Sequence, residues 1–318
     1  IPSNTARGAV MSPICDNICD GMGYKRGEHK GDAAIMLSNL YTNTTNTWLF
    51  YTAVGANAIG MALVEEMTGQ SISWTGWLKA TCIPAGIIVL LIPLITNFLF
   101  GTRKGEKRSI DIEFAKKKLE EMGPLTVKEK KAAIYFALTL LAFCTNGIHH
   151  VAPDYVVFVT IFLMLCPGIG VCSFKDVGPN FAWPAFIQLG FAMSLASCVN
   201  KTGGFQWLVD AMFTTNPAFS AMDPTLFITI WLAFVVVSHI IFAGMNAMEA
   251  VLVPVSMTMA AALGFDVYTM GLLTVMAIAP SANFLPFNSA PNLIYASTDR
   301  FSTAQQLKGA IVIAVLVI

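Results

Sequence analysis

Apolar runs without a single Asp, Glu, Lys or Arg dominate this chain: 33–64, 80–102, 132–153, 155–174, 177–200, 224–248, 250–265 and 267–298. About 20 mostly apolar residues cover a bilayer core as a helix, and most of these runs reach that length. None shows the ten-residue alternation of a barrel strand, so the pattern predicts an all-α integral membrane protein. The 250–265 run is too short to cross alone and suits a re-entrant arm. The pattern gives a polar tip and short helix over 1–14, a Gly- and charge-rich connection over 15–32, and a long polar-interrupted span over 33–64. Spans follow over 76–100, 132–150, 155–172 and 181–200. Two arms, 225–243 and 247–262, meet at Gly244-Met245-Asn246. A second interrupted span covers 267–297, and 302–318 begins another.

The interruptions repeat. Ser3 is followed ten residues later by Pro13, and Gly244 ten residues later by Pro254. Asn43-Thr-Thr-Asn-Thr47 lies inside the first interrupted span, and Asn288-Ser-Ala-Pro-Asn292 inside the second. The chain therefore divides into the end of a first repeat (1–75), a span with a loop (76–131) and a second repeat (132–318). Ten of the 19 Lys and Arg residues fall between Arg103 and Lys131, which makes that loop cytoplasmic by the positive-inside rule. Counting spans from there, the two interrupted segments run in opposite directions. Inverted repeats with broken helices hold a substrate between the halves near mid-membrane.

Composition agrees: 55% of residues are hydrophobic and only 12% charged, and a net charge of zero gives no support for nucleic-acid binding. Within the basic loop, Ile112, Ala115, Leu119 and Met122 recur at helical spacing beside Lys116, Lys117 and Lys118. That suits an amphipathic helix at the lipid surface or a solvated helical loop. The seven cysteines are an odd count, and no ligand set forms around Cys15 and Cys19, so all seven are read as small apolar residues. No zinc-type cluster, phosphate loop or nucleophile–base arrangement points to an enzyme. The chain opens inside a motif without an initiator Met and stops within a ten-residue apolar run, as expected of a piece of a longer protein.

Polar groups persist at membrane depth mainly where they bind something. Ser3, Asn4 and Thr5 stand at a helix start, whose free N–H groups and positive dipole end suit a carboxylate. Gly244 and Asn246 form the equivalent tip. Asn43, Thr44, Thr45, Asn46 and Thr47 are too polar to face lipid, and interhelical hydrogen bonding is their other use. Pro286 and Pro291 remove backbone donors and break the second span; free carbonyls at such a break suit a cation such as sodium. Glu249, the one carboxylate between 224 and 265, serves either proton or cation coupling or snorkels to water. His239 is read as a packed or helix-bridging histidine. Arg7, the nearest cation, either assists the anion or faces the headgroups.

These motifs resemble the divalent anion:sodium symporter family. Pro-Ser-Asn-Thr-Ala-Arg at 2–7 is similar to its first Ser-Asn-Thr signature. His239-Ile-Ile-Phe-Ala-Gly-Met-Asn-Ala with Leu-Val-Pro-Val255 resembles the second hairpin tip of the citrate, tartrate and succinate antiporter and 2-oxoglutarate/malate translocator branch. Leu285-Pro-Phe-Asn-Ser-Ala-Pro-Asn-Leu-Ile-Tyr295 is similar to its second broken helix, and Gly-Pro-Leu-Thr at 123–126 also fits. The likeness covers the whole chain as roughly the last two-thirds of a member. It implies an inverted-repeat, elevator-type transporter with two re-entrant hairpins and broken helices, a homodimer in a bacterial inner membrane.

By position, Ser3, Asn4 and Thr5 would meet one substrate carboxylate, completed by Asn43, Thr44 and Asn46. Gly244 and Asn246 would face the other, with Ser289 and Pro291 adjacent. Ser3, Asn4 and Asn288 would be the candidate sodium ligands. The implied activity is secondary transport of di- or tricarboxylates, with sodium ions as the one implied cofactor. Gly244 and Met245 depart from the sodium-coupled signature, which favours anion exchange over a sodium-coupled dicarboxylate or sulfate symporter.

Overall fold

The computed structural model describes residues 3–28, 31–101, 112–149, 151, 153–180, 183–215, 222–242, 244–278 and 280–317. The first part of the basic loop, 102–111, and His150 of the 149–153 connection lie outside the described residues, as does Pro2 of the opening motif. The described residues form helices and no strand.

Helix α1 runs Asn4–Gly21, with Ser3 as its N-cap; the Ser3 hydroxyl accepts from the Ala6 N–H at 3.2 Å. It therefore extends seven residues beyond the expected end at 14, through Pro13. Gly8, Ser12, Cys15 and Cys19 form one buried stripe at helical spacing, and that packing carries the helix past the proline. Helix α2 (Gly31–Leu49) leads into a three-ten turn at Tyr51–Ala53, then α3 (Gly55–Thr68) and α4 (Trp74–Phe100).

The first interruption thus falls at 50–54, not at Asn43–Thr47, which stays helical. Short hydroxyl side chains there bond back to their own helix, Thr47 Oγ1 to the Thr44 carbonyl at 2.5 Å, so their polarity does not break it.

The middle of the chain holds α5 (Ile112–Met122), α6 (Val127–Cys144), α7 (Asn146–His149), α8 (Pro153–Leu165), α9 (Phe174–Asn180), α10 (Trp183–Lys201) and α11 (Gly204–Thr215). The basic loop's amphipathic segment is helical, with Leu119 exposed. Thr126 and Glu129 cap α6 reciprocally, which fixes where this helix starts.

The second hairpin is α12 (Pro224–Ser238) and α13 (Met245–Leu263). It is followed by α14 (Val267–Ile278), a three-ten turn at Pro286–Asn288, α15 (Ala290–Ala296) and α16 (Thr303–Val317). Asp266 starts α14, accepting from the Thr269 N–H at 2.8 Å; its carboxyl is held below the ordinary range by the Thr269 hydroxyl and N–H. Pro286 opens the turn as expected. Pro291 does not break a helix: it sits in the first turn of α15, where a missing N–H costs nothing.

Among the described residues, α4 and α13 are both long and apolar enough to cross a membrane. They differ in surroundings. Most of α13 is buried in protein. In contrast, α4 turns Ile83, Ile87, Leu90, Leu94 and Phe98 outward and Trp77, Thr81, Ala85, Ile88 and Ile92 inward. The two interrupted spans appear as helix pairs, α2 with α3 and α14 with α15, on either side of a three-ten turn. The core is built from α2 on α4, α13 on α14 and α3, and α1 on α2 and α15. Each half thus presents the same series: tip helix, half-helix, three-ten turn, half-helix, closing helix.

Candidate functional site

The two breaks have one backbone. Extended Phe50 (φ −121°, ψ 127°) and Val54 (φ −150°, ψ 147°) flank the first turn; extended Leu285 (φ −131°, ψ 154°) and Ser289 (φ −152°, ψ 153°) flank the second. An asparagine three residues further on stitches each break closed. Asn57 Nδ2 donates to the Thr47 carbonyl at 2.7 Å and reaches those of Phe50 and Tyr51 at 3.4 and 3.3 Å. Asn292 Nδ2 donates to the Ala282 and Leu285 carbonyls at 2.7 and 2.8 Å.

In both cases the acceptors lie ten and seven residues back. Both asparagines bury an Oδ1 that has no hydrogen-bond partner among the described residues. The structural counterpart of Asn292 is therefore Asn57, so the sequence pairing of Asn43–Thr47 with Asn288–Asn292 was displaced. The available signal was an asparagine seven residues after the residue that opens each break.

At the first tip, Arg7 is half-buried and bonded within the protein. Its Nε donates to Asn43 Oδ1 at 2.9 Å, its Nη1 to the Ala53 carbonyl at 3.0 Å and its Nη2 to the Asn43 carbonyl at 3.1 Å. Asn43 Nδ2 donates in turn to the Asn4 carbonyl at 2.9 Å. The guanidinium thus rests on one carbonyl of the first break, Ala53, and one of α2, Asn43, and ties α1 to both. Such bonds to a charged group are among the stronger ones.

Thr44 Oγ1 lies 2.6 Å from Asn283 Oδ1 in the second break, and the Asn283 carbonyl accepts from Gln306 Nε2 at 3.0 Å. Asn283 escaped the sequence reading because a single amide in an apolar run carries no period, and Gln306 because it stands in the polar stretch Ser302–Lys308 that opens α16.

At the second tip, Asn288 Nδ2 donates to the His239 carbonyl at 2.7 Å and reaches that of Phe242 at 3.3 Å. His239 Nδ1 lies 2.7 Å from Ser281 Oγ, so this histidine bridges tip and break. Gly244 is extended (φ 178°), a conformation any residue adopts, and a Cβ there would meet nothing within 4 Å. Among the described residues, nothing packs against the tip at this point.

The second break reaches both tips. Asn288 bonds the second, while Pro291 and Tyr295 lie beside the first: a Cβ on Gly8 would stand 3.4 Å from each and 3.3 Å from Asn43 Nδ2.

The candidate residues fall into two groups. Asn43, Thr44 and Asn288 are buried and spend their side chains on the protein, and Ser3 caps its own helix. Thr5 is exposed, and Asn46, Asn246 and Ser289 are half-buried; none of these four side chains bonds another described residue. Asn4 is buried at the same tip.

Glu249 does not snorkel: it is wholly buried, and its Oε2 accepts from the Gly60 N–H at 3.1 Å. A cavity of about 720 Å³ opens beside Lys128, Phe162, Cys172 and Asp176, and no residue of either tip or break lines it. Among the described residues no cluster of three His, Cys, Asp or Glu side chains forms a metal site.

A second missed feature anchors the far end of α1. Arg300 is wholly buried. Its Nε donates to Asp16 Oδ1 at 2.7 Å, its Nη1 to the Tyr24 carbonyl at 3.0 Å and its Nη2 to Asp20. Arg26 completes the cluster at 2.5 Å from Asp16 Oδ2.

Comparison with known proteins matches the model described as "Sodium:sulfate symporter transmembrane region" over residues 1–318. Relatives include inner membrane protein YbhI of Escherichia coli K12, 27% identical over 89% of this chain and 58% of the relative. The putative malate transporter YflS of Bacillus subtilis 168 is 26% identical over 69% of this chain and 46% of the relative. The citrate/succinate antiporter of E. coli K12 is 24% identical over 92% of this chain and 60% of the relative. The chain spans about three-fifths of the length of such relatives.

Proposed function

The chain belongs to the sodium:sulfate symporter transmembrane family, and from that premise we propose that it forms the substrate-binding core of a secondary transporter that exchanges di- or tricarboxylates across a bacterial inner membrane. Relatives named for malate and for citrate/succinate support the substrate class. Thr5, Asn46, Asn246 and Ser289 are the groups left to hold the carboxylates, with the Asn4 end of α1 adding its N-terminal N–H groups. Asn43, Thr44, Asn288 and Pro291 act one step back by holding tips and breaks together. Neutral donors bind the dianion weakly enough to release it on the far side, and no reactive group of an enzyme is invoked. The homodimer and the elevator motion implied by the resemblance belong to the same proposal; the outward face of α4 suits lipid or a second copy.

The observation that carries exchange over sodium coupling is Arg7. Its guanidinium occupies one carbonyl oxygen of the first break, that of Ala53, together with the Asn43 carbonyl of α2, where a cation would otherwise be sought, so a positive charge is fixed in place and needs no ion gradient. Ser3 and Asn4 are then not needed as sodium ligands. A sodium-coupled reading keeps one observation in its favour: Ser289 Oγ and Asn292 Oδ1 are buried without a partner among the described residues. They fit a small cation, and would be the residues to hold sodium beside the anion and offset its charge. Asn57 leaves the same orphan Oδ1 at the break that already has Arg7, so that atom reflects the shared fold and only Ser289 speaks for an ion.

Calorimetric titration of the full-length protein with succinate and citrate tests the assignment. Losing one hydrogen bond to a charged group costs about 1.5–3 kcal/mol, so Asn246→Ala should weaken binding at least about tenfold. Unchanged affinity in both Asn246→Ala and Thr5→Ala would remove the site from these tips.

A further inference from the structure

Glu249 lies five residues past the N-cap of α13, inside the contact between the second tip helix and α3 of the opposite half. It is wholly buried. One oxygen accepts from the Gly60 N–H, and Oε1 has no partner among the described residues. Titratable groups on the elements packed against α13 are Glu65 and Glu66 of α3, Cys198 and Lys201 of α10, Asp210 of α11 and Tyr268 of α14. All are exposed or half-exposed, and none bonds Glu249. Glu65 and Glu66 stand about 7.5 Å or more along α3 from Gly60 and share the carboxylate's sign.

The fold does not require an acid here. Gly8, five residues past the N-cap of α1, is the counterpart of Glu249. It faces Tyr295, which lies three residues after Asn292 as Gly60 lies three after Asn57. The equivalent contact in the first tip is therefore made without charge. An ionised carboxylate, wholly buried with a single backbone donor and no cation at hand, is far more costly than the neutral acid.

We propose that Glu249 is a proton-binding site, held as the neutral acid while α13 is packed on α3, with its proton on Oε1, and ionising when that contact opens to water. Opening breaks the Oε1–H bond and gives the proton to water; repacking takes one back. A carrier that repacks this contact on one side of the membrane and opens it to water on the other would move a proton with its anions. Only this last coupling step rests on the exchanger reading above.

Two measurements on the full-length protein test it, each with Glu249→Gln, which preserves shape and an oxygen for the Gly60 N–H. Infrared spectroscopy of the purified protein at neutral pH should show a buried carboxylic-acid carbonyl band that disappears in Glu249→Gln. In liposomes enclosing a pH dye, carboxylate exchange should carry a proton flux beyond that of the substrate, lost in Glu249→Gln while exchange persists.

Absence of the band, or its survival in Glu249→Gln, overturns the protonated state. A proton flux indifferent to the substitution overturns the coupling. If no carboxylate is carried at all, coupling and the exchange reading fall together, and the band still decides the proton site.

Discussion

The two tip helices meet the opposite half through the same contact with the sizes exchanged. In the first, glycine on the tip helix (Gly8) receives a large ring, Tyr295. In the second, a long acid on the tip helix (Glu249) reaches glycine, Gly60. Spacing is conserved between the halves, and chemistry is not. The breaks show the same division. Backbone angles and the stitching asparagine agree, but the first break carries a guanidinium on its Ala53 carbonyl, and the second instead donates its own amide, Asn288, to the tip. The shared geometry repeats one arrangement in both halves; the differences put a bonded guanidinium, Arg7, on one side and a buried carboxyl group, Glu249, on the other.

Removing what is unique to one half should cost most. Only α1 has its far end locked by a buried arginine among the described residues, so Arg300→Ala leaves Asp20 without this partner and Asp16 with Arg26 alone. It should lower stability by about 3 kcal/mol, the top of the range for bonds to a charged group, in detergent unfolding, whereas a loss below about 1 kcal/mol would mean the clamp is dispensable. Arg7→Ala comes next, at about 1.5–3 kcal/mol for bonds to a charged group. It should also make exchange respond to external sodium, and sodium indifference in that variant would break the contrast between the two breaks.

The size exchange makes a paired prediction. A Cβ on Gly60 would stand 2.5 Å from Val275 Cγ2 and 3.2 Å from Glu249 Oε2, so Gly60→Ala should cost about 1–3 kcal/mol by overpacking. At Gly8 the nearest atoms stand at 3.3–3.4 Å, and Gly8→Ala should cost clearly less in the same unfolding assay. The smallest difference is expected between Asn57→Ala and Asn292→Ala. Each should cost about 1–3 kcal/mol, and values agreeing within about 0.5 kcal/mol would confirm that the two side chains do one job.

What could be read from the sequence followed the physical signal. Apolar runs and the ten-residue spacing to Pro13 and Pro254 located both tips and both interrupted spans, because burial and missing backbone donors leave marks in composition. The position of the first break was misread because Asn43–Thr47 is polar yet helical, its hydroxyls satisfied within the helix, while the break at 50–54 contains ordinary residues. Pro291 was misread because a proline starts a helix as readily as it ends one. Arg300, Asn283 and the Glu249–Gly60 contact join residues far apart in the chain, and no local pattern announces them. Among candidate ligands, residue type could not separate Asn43, spent on Arg7 and Asn4, from Asn46, left free; that required coordinates.

The most direct test of exchange is uptake of labelled succinate by the full-length protein in liposomes loaded with succinate or with buffer alone, with and without external sodium. The account predicts uptake only against internal succinate and at the same rate with or without sodium. Sodium-driven accumulation in vesicles that contain no succinate would contradict it, and would mean that the charge fixed by Arg7 does not replace an ion.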